Sequence, residues 1–189
     1  MQVKPLTSLI IEPTNTCNLR CTFCFVTEGM TRKEGFMDFG LFKKVIDDCP
    51  DLEHLCMHNW GEPLLHKEIF KMFEYAHDAG VKFIVMNTNG TLLTDKIIGK
   101  IVDSPLNIIR FSIDGSAETF ERIRGVELEK IEKNIMKLKS EKDKRRPEFS
   151  MGVVFTVEKE TQDDVDPFIS HWESVMDHVR TQPKLVQSP

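Results

Sequence analysis

The sequence predicts an α/β fold in which parallel strands alternate with helices, and three observations carry that reading. Short apolar runs alternate with segments whose apolar residues recur at helical spacing, the pattern of successive βα units. Polar clusters follow four different apolar runs, at the strand ends where parallel α/β folds bind their ligands. No internal repeat or low-complexity tract interrupts the alternation. At 189 residues the chain is long enough for a sizeable core, and no linker divides it, so one domain is expected over 1–189.

Residues 6–11 read as a short buried strand, ended by Pro13 and the turn-forming Thr14-Asn15. A cysteine-bearing loop follows, then a charged segment leading to Asp38, an N-cap for a helix carrying Leu41, Phe42, Val45, Ile46 and Cys49 and stopped by Pro50. A second strand over 52–57 ends in the polar run His58-Asn59-Trp60-Gly61-Glu62-Pro63. The next helix presents Ile69, Phe70, Phe73 and Ala76, with Gly80 placed as its C′ glycine. A third strand over 81–86 leads into Asn87-Thr88-Asn89-Gly90, and Thr94 caps a helix closed off by Pro105. A fourth strand over 108–113 precedes Asp114-Gly115, followed by a helix through Leu128, Ile131, Ile135 and Leu138. Its charged continuation over 137–146 reads as a solvated helix end. A fifth strand over 151–157, a helix carrying Val165, Phe168, Ile169 and Trp172, and a weak sixth strand over 177–181 complete the chain.

Composition excludes several classes. A net charge of -5 and a pI near 5.7 argue against a nucleic-acid surface, which would be basic. No apolar run approaches a membrane span and the N-terminus carries no charged-then-apolar signal segment, so no membrane partner is expected. Five cysteines, three of them clustered, are no disulfide framework. The cytoplasm is the expected compartment, since a reducing medium keeps thiolates free to bind metal.

Chemistry concentrates in Cys17-Asn18-Leu19-Arg20-Cys21-Thr22-Phe23-Cys24. Three thiolates so spaced can hold three corners of a cubane iron–sulfur cluster, leaving the fourth iron open. A structural zinc site would want a fourth protein ligand, and no Cys or His follows within a dozen residues. The loop, Gly61-Glu62-Pro63, Thr88-Asn89-Gly90 and Ser112-Ile113-Asp114-Gly115 each follow a different strand, so four clusters converge on one face.

With those residues in hand, the chain resembles the radical S-adenosylmethionine (SAM) superfamily. Cys17, Cys21, Phe23 and Cys24 match its cysteine signature with an aromatic before the last cysteine. Gly61-Glu62-Pro63 is similar to its Gly-Gly-Glu-Pro motif, with Trp60 at the first glycine. Thr88-Asn89-Gly90-Thr91-Leu92 and Ser112-Ile113-Asp114-Gly115 are similar to segments of the branch bearing a SPASM or twitch extension, which includes peptide and protein maturases such as anaerobic sulfatase-maturating enzymes.

The resemblance implies a partial (βα)6 TIM-like barrel. It implies a [4Fe-4S] cluster on Cys17, Cys21 and Cys24, with SAM chelating the open iron. Reductive cleavage of SAM then yields a 5′-deoxyadenosyl radical that takes hydrogen from a substrate, a peptide or protein first and a small molecule second. Flavodoxin or ferredoxin would be the reductant. Glu62 would accept from the SAM ammonium, with Gly61 and Pro63 allowing close backbone approach. Asn89 joins the same cofactor-binding set. Ser112 and Asp114, two apart on a strand and so facing one way, would meet the carboxylate and ribose, and Arg124 the carboxylate.

Two other readings stand beside this one, a cluster-bearing electron carrier or sensor and a zinc-stabilised binding module. SPASM-bearing relatives continue past the sixth strand with further cysteines, whereas this chain has none after Cys56. The expectation is therefore a core domain truncated after its sixth strand, whose exposed edge would be prone to association, with a minimal family member as the alternative.

Overall fold

Six parallel strands form one sheet in sequence order, curved into a half-barrel, in the computed structural model, which describes residues 5–184. The strands are β1 (Ser8–Ile10), β2 (His54–Cys56), β3 (Phe83–Thr88), β4 (Ile108–Ser112), β5 (Ser150–Val157) and β6 (His178–Pro183). The helices are α1 (Phe25–Glu28), α2 (Phe39–Asp47), α3 (Ile69–Asp78), α4 (Asp95–Asp103), α5 (Ala117–Arg124), α6 (Leu128–Arg145) and α7 (Val165–Glu173).

The period-two alternation of a strand divides the sheet into two faces. Leu55, Ile84, Met86, Ile109, Phe111, Val153 and Phe155 turn to the helices and form one continuous core with Phe42, Phe73, Ile101, Ile135 and Leu138. The opposite, concave face carries Asn87, Arg110, Ser112, Thr156 and Gln182 beside the apolar Val85, Ile108 and Val154.

Several predicted caps are present. Asp38 accepts from the Leu41 N–H (3.0 Å), Thr94 from the Ile97 N–H (3.3 Å), and Gly80 takes φ +100 after α3. Other expectations need correction. Asn87 and Thr88 belong to β3 rather than to the turn after it. Helix α5 was not expected; only Phe120 and Ile123 give it an apolar face, too few for a periodic signal. It is capped by Ser116, which accepts from the Thr119 N–H. The charged run over 137–146 is not wholly solvated, because Lys142 is buried with its Nζ 3.3 Å from Asp177, tying α6 to the start of β6. Cys56 lies half-buried on the concave face.

Candidate functional site

The strand C-terminal ends open into a cavity of about 400 Å³ whose wall includes Cys17, Cys21 and Cys24. The cysteine loop is fixed from below. The Thr22 N–H donates to the Ile123 carbonyl at the end of α5 (2.9 Å), and Leu19, Cys21 and Ile123 form a small apolar cluster against which Phe23 packs. Cys24 precedes α1, and its carbonyl accepts from the Thr27 N–H (2.8 Å). The Thr22 N–H bond and the buried Leu19 and Cys21 thus anchor the loop to the end of α5, with Phe23 packed beside them.

Gly61 explains the turn after β2. A Cβ there would lie 2.0 Å from the Thr14 carbonyl oxygen, so only glycine admits the backbone ahead of the cysteine loop. The Glu62 N–H donates to the Thr16 carbonyl (2.9 Å), and Pro63 opens a short 3₁₀ turn, where its fixed φ is suited and no N–H is needed. Glu62, 2% exposed, accepts from the Leu64 N–H (3.0 Å), the Thr88 hydroxyl (2.8 Å) and the Asn89 N–H (2.8 Å). Burial pushes its carboxyl up, and these donors oppose that shift. Oε2 takes one protein donor and keeps a lone pair for another.

Two of the three sulfurs already face N–H donors. The Leu19 N–H lies 3.4 Å and Asn89 Nδ2 3.9 Å from Cys17 Sγ, and Arg124 Nη1 lies 3.9 Å from Cys21 Sγ. Burial pushes both thiols up, while Leu19 and Arg124 respectively draw them down. Arg124 is itself held by Asp114, its Nε and Nη2 each 2.7 Å from Oδ2.

Cys17, Cys21, Cys24, Gly61, Glu62, Asn89, Ser112 and Arg124 therefore line one cavity, while Pro63 and Asp114 do not. Asp114 is fully buried behind the wall, its carboxylate engaged by Arg124 and by the Thr156 N–H, both groups of cavity-lining residues. His58, Trp60, Asn87, Thr88, Thr156 and Gln182 complete much of the wall. Of these, Thr156 and Gln182 carried no signal beyond lying on β5 and in the residues after the predicted sixth strand.

Among the described residues no three His, Cys, Asp or Glu side chains close on a single ion. The three thiols instead share a cavity wall, a disposition suited to a cluster rather than to one zinc. Asn87 Oδ1, in the same wall, is buried without a hydrogen-bond partner, an acceptor that a polar ligand would satisfy. The donor set and the wall fit an iron–sulfur cluster with a polar organic ligand.

His58 accepts the Asn87 N–H at Nδ1 (3.1 Å), which leaves Nε2 to carry the proton of a neutral ring. Burial and the Arg110 charge push its pKa from 6.5 down to about 4. The unfolded chain therefore binds this proton more readily, so the contribution is complete above the unfolded value and is lost as pH falls toward the folded one. Stability is expected to drop by about 2 kcal/mol by pH 5 on this account. Urea unfolding at pH 7 and pH 5 should show that loss shrink in His58→Gln; an unchanged pH dependence would refute it.

The model of the radical SAM superfamily matches residues 11–170. The chain is 33% identical over 163 residues to the tungsten-containing aldehyde ferredoxin oxidoreductase cofactor-modifying protein of Pyrococcus furiosus, covering 82% of this chain and 45% of that one. It is 33% identical over 117 residues to the AdoMet-dependent heme synthase of Methanosarcina barkeri, covering 61% and 33%. The chain thus spans less than half the length of these curated relatives. Its fold is similar to that of native anSMEcpe with bound AdoMet and Cp18Cys peptide, with a TM-score of 0.76 at 22% identity over 96% of this chain and 52% of that one. The family match runs from the cysteine loop into α7, and the chain belongs to the radical SAM superfamily, whose cofactors are a [4Fe-4S] cluster and SAM.

Proposed function

We propose that residues 1–189 are the core domain of a radical SAM enzyme that generates a 5′-deoxyadenosyl radical and abstracts hydrogen from an organic substrate. The observation that carries this is the placing of three thiols and the Glu62 carboxylate around one cavity at the strand ends. Cys17, Cys21 and Cys24 would hold the cluster. Bound together, cluster and SAM supply a one-electron cleavage of the sulfonium C–S bond, with the electron delivered by a flavodoxin or ferredoxin.

The chain's own residues bind, orient and shield. Glu62 Oε2 has room for one more donor and would take the SAM ammonium, a charge-assisted bond stronger than a neutral one. Asn89 and Ser112 offer side chains from the same wall, and Arg124 places a buried positive charge for the carboxylate. Asp114 works through Arg124, as a positioning residue. Trp60, edge-on to Phe25 with centroids 4.5 Å apart, screens one side of the cavity from water.

For the substrate, a peptide or protein is supported by the peptide bound in anSMEcpe. A small molecule is favoured by the names of the two relatives, a cofactor-modifying protein and a heme synthase. The five free cysteines support a reducing compartment, the cytoplasm. The test is anaerobic reconstitution with iron and sulfide, followed by SAM and a strong reductant. Release of 5′-deoxyadenosine is expected. A full cluster that releases none, with an EPR signal unmoved by SAM, would point to an electron carrier instead, and zinc without iron to a binding module.

A further inference from the structure

The concave face continues past the cavity along β4, β5 and β6, and there it carries an arginine that pairs with no carboxylate among the described residues. Arg110 stands beside Asn87 of β3 on one side and Gly152 of β5 on the other, and Gly152 is in turn in register with His178 of β6. The Arg110 Nε–H donates to His178 Nε2 (3.1 Å), and Ser150 Oγ lies 3.3 Å from His178 Nδ1. This contact spans a whole strand, and it does so over glycine. A Cβ on Gly152 would lie 2.2 Å from the imidazole ring. The guanidinium is therefore oriented through Nε, while its two terminal nitrogens have no protein partner among the described residues.

Arg180 stands two residues beyond His178 on the same face. Among the described residues neither Arg110 nor Arg180 forms an ion pair with a carboxylate. The nearby Asp177 is spent on the Met151 N–H (2.8 Å) and on Lys142 (3.3 Å). The two arginines repel each other across the concave surface, and an anion held between them would relieve that repulsion. An oriented guanidinium fork is the group that recognises a carboxylate or phosphate through two parallel hydrogen bonds. Asn87 and Ser112, which flank Arg110 across and along the strands, both line the cavity, so the two regions are continuous.

We propose that Arg110, oriented by His178 across Gly152 and assisted by Arg180, is the subsite for an oxyanion of the substrate, a carboxylate or a phosphate. Held there, the substrate's body lies toward Asn87 and Ser112, beside the cavity in which the radical forms. That this oxyanion belongs to the substrate rests on the radical SAM reading above; the anion site itself does not.

The test uses the full chain without SAM or reductant, titrated with pyrophosphate as the phosphate probe and tricarballylate as the carboxylate probe. Calorimetry gives affinities, and ¹⁵N NMR follows the Arg110 Nε–Hε signal, assigned by its absence from Arg110→Lys. A saturable shift of that signal with at least one probe is expected, and the tighter probe names the group. Arg110→Gln should weaken binding about tenfold, and Gly152→Ala, which displaces His178, should weaken it while leaving the Arg110 charge. No saturable shift in the unmodified protein with either probe overturns the proposal, as does undiminished affinity in a folded Arg110→Gln. Because no SAM is present, either failure is separate from a failure to release 5′-deoxyadenosine.

Discussion

Cys21→Ala protein, reconstituted anaerobically, is expected to lose both its iron–sulfur absorbance and any release of 5′-deoxyadenosine. Cys21 is buried, rests on Leu19 and Ile123, and faces Arg124. Alanine fills most of that space, so the change removes a ligand without emptying a core, and the stability loss should stay near about 1 kcal/mol. Two remaining thiolates cannot hold a cubane that takes its ligands mainly from cysteine. Bound iron should therefore fall from about four per chain to a small fraction of that, with far-UV circular dichroism unchanged. Cys49→Ala is the control, because Cys49 packs against the helix-side core and should retain the full iron content. Equal iron in the two variants would refute the assignment of the loop as the cluster site.

The cysteine loop could be read from the sequence because its chemistry is local. Three ligands within eight residues declare themselves by spacing. Glu62 stood out for a similar reason, since it lies in a short polar run just past a strand, and the resemblance of Gly61-Glu62-Pro63 to a family motif suggested its role. What the glycine does was not visible: it makes room for the Thr14 backbone, a contact between residues nearly fifty apart in the chain. Asp114 shows the limit of pattern reasoning. The strand period gave it a face, but not that its carboxylate would be engaged by Arg124 and the Thr156 N–H behind the cavity wall. Helix α5, which carries Arg124, was missed because Phe120 and Ile123 are its only buried apolar side chains. The pairing of Arg110 with His178 depends on strand register across three strands, which a linear pattern does not encode. Residues that work through neighbours in sequence were legible, and residues that work through neighbours in the sheet were not.

Asp114→Ala should be among the most destabilising single changes at the site. The Asp114 side chain is 0% exposed and that of Arg124 8%, so neither charge is relieved by water. Oδ2 accepts from Arg124 Nε and Nη2, and Oδ1 from the Thr156 N–H (2.9 Å). Removing the carboxylate leaves a buried guanidinium uncompensated and a backbone donor unpaired, a loss of about 3–5 kcal/mol. An exposed pair such as Lys44–Asp48, with side chains 70% and 63% exposed, contributes about 0–1 kcal/mol by comparison. For a chain of this length the melting temperature should fall by roughly 6–20 °C. The decisive comparison is Asp114→Leu with Arg124→Met in one protein, which replaces both charges by apolar groups. If burial of an unpaired charge is the cause, the double variant should recover much of the urea midpoint lost by Asp114→Ala. It should still bind SAM weakly, because the charge beside Cys21 is gone. If the double variant is as unstable as the single, the loss comes from the hydrogen bonds of the pair and not from an uncompensated buried charge.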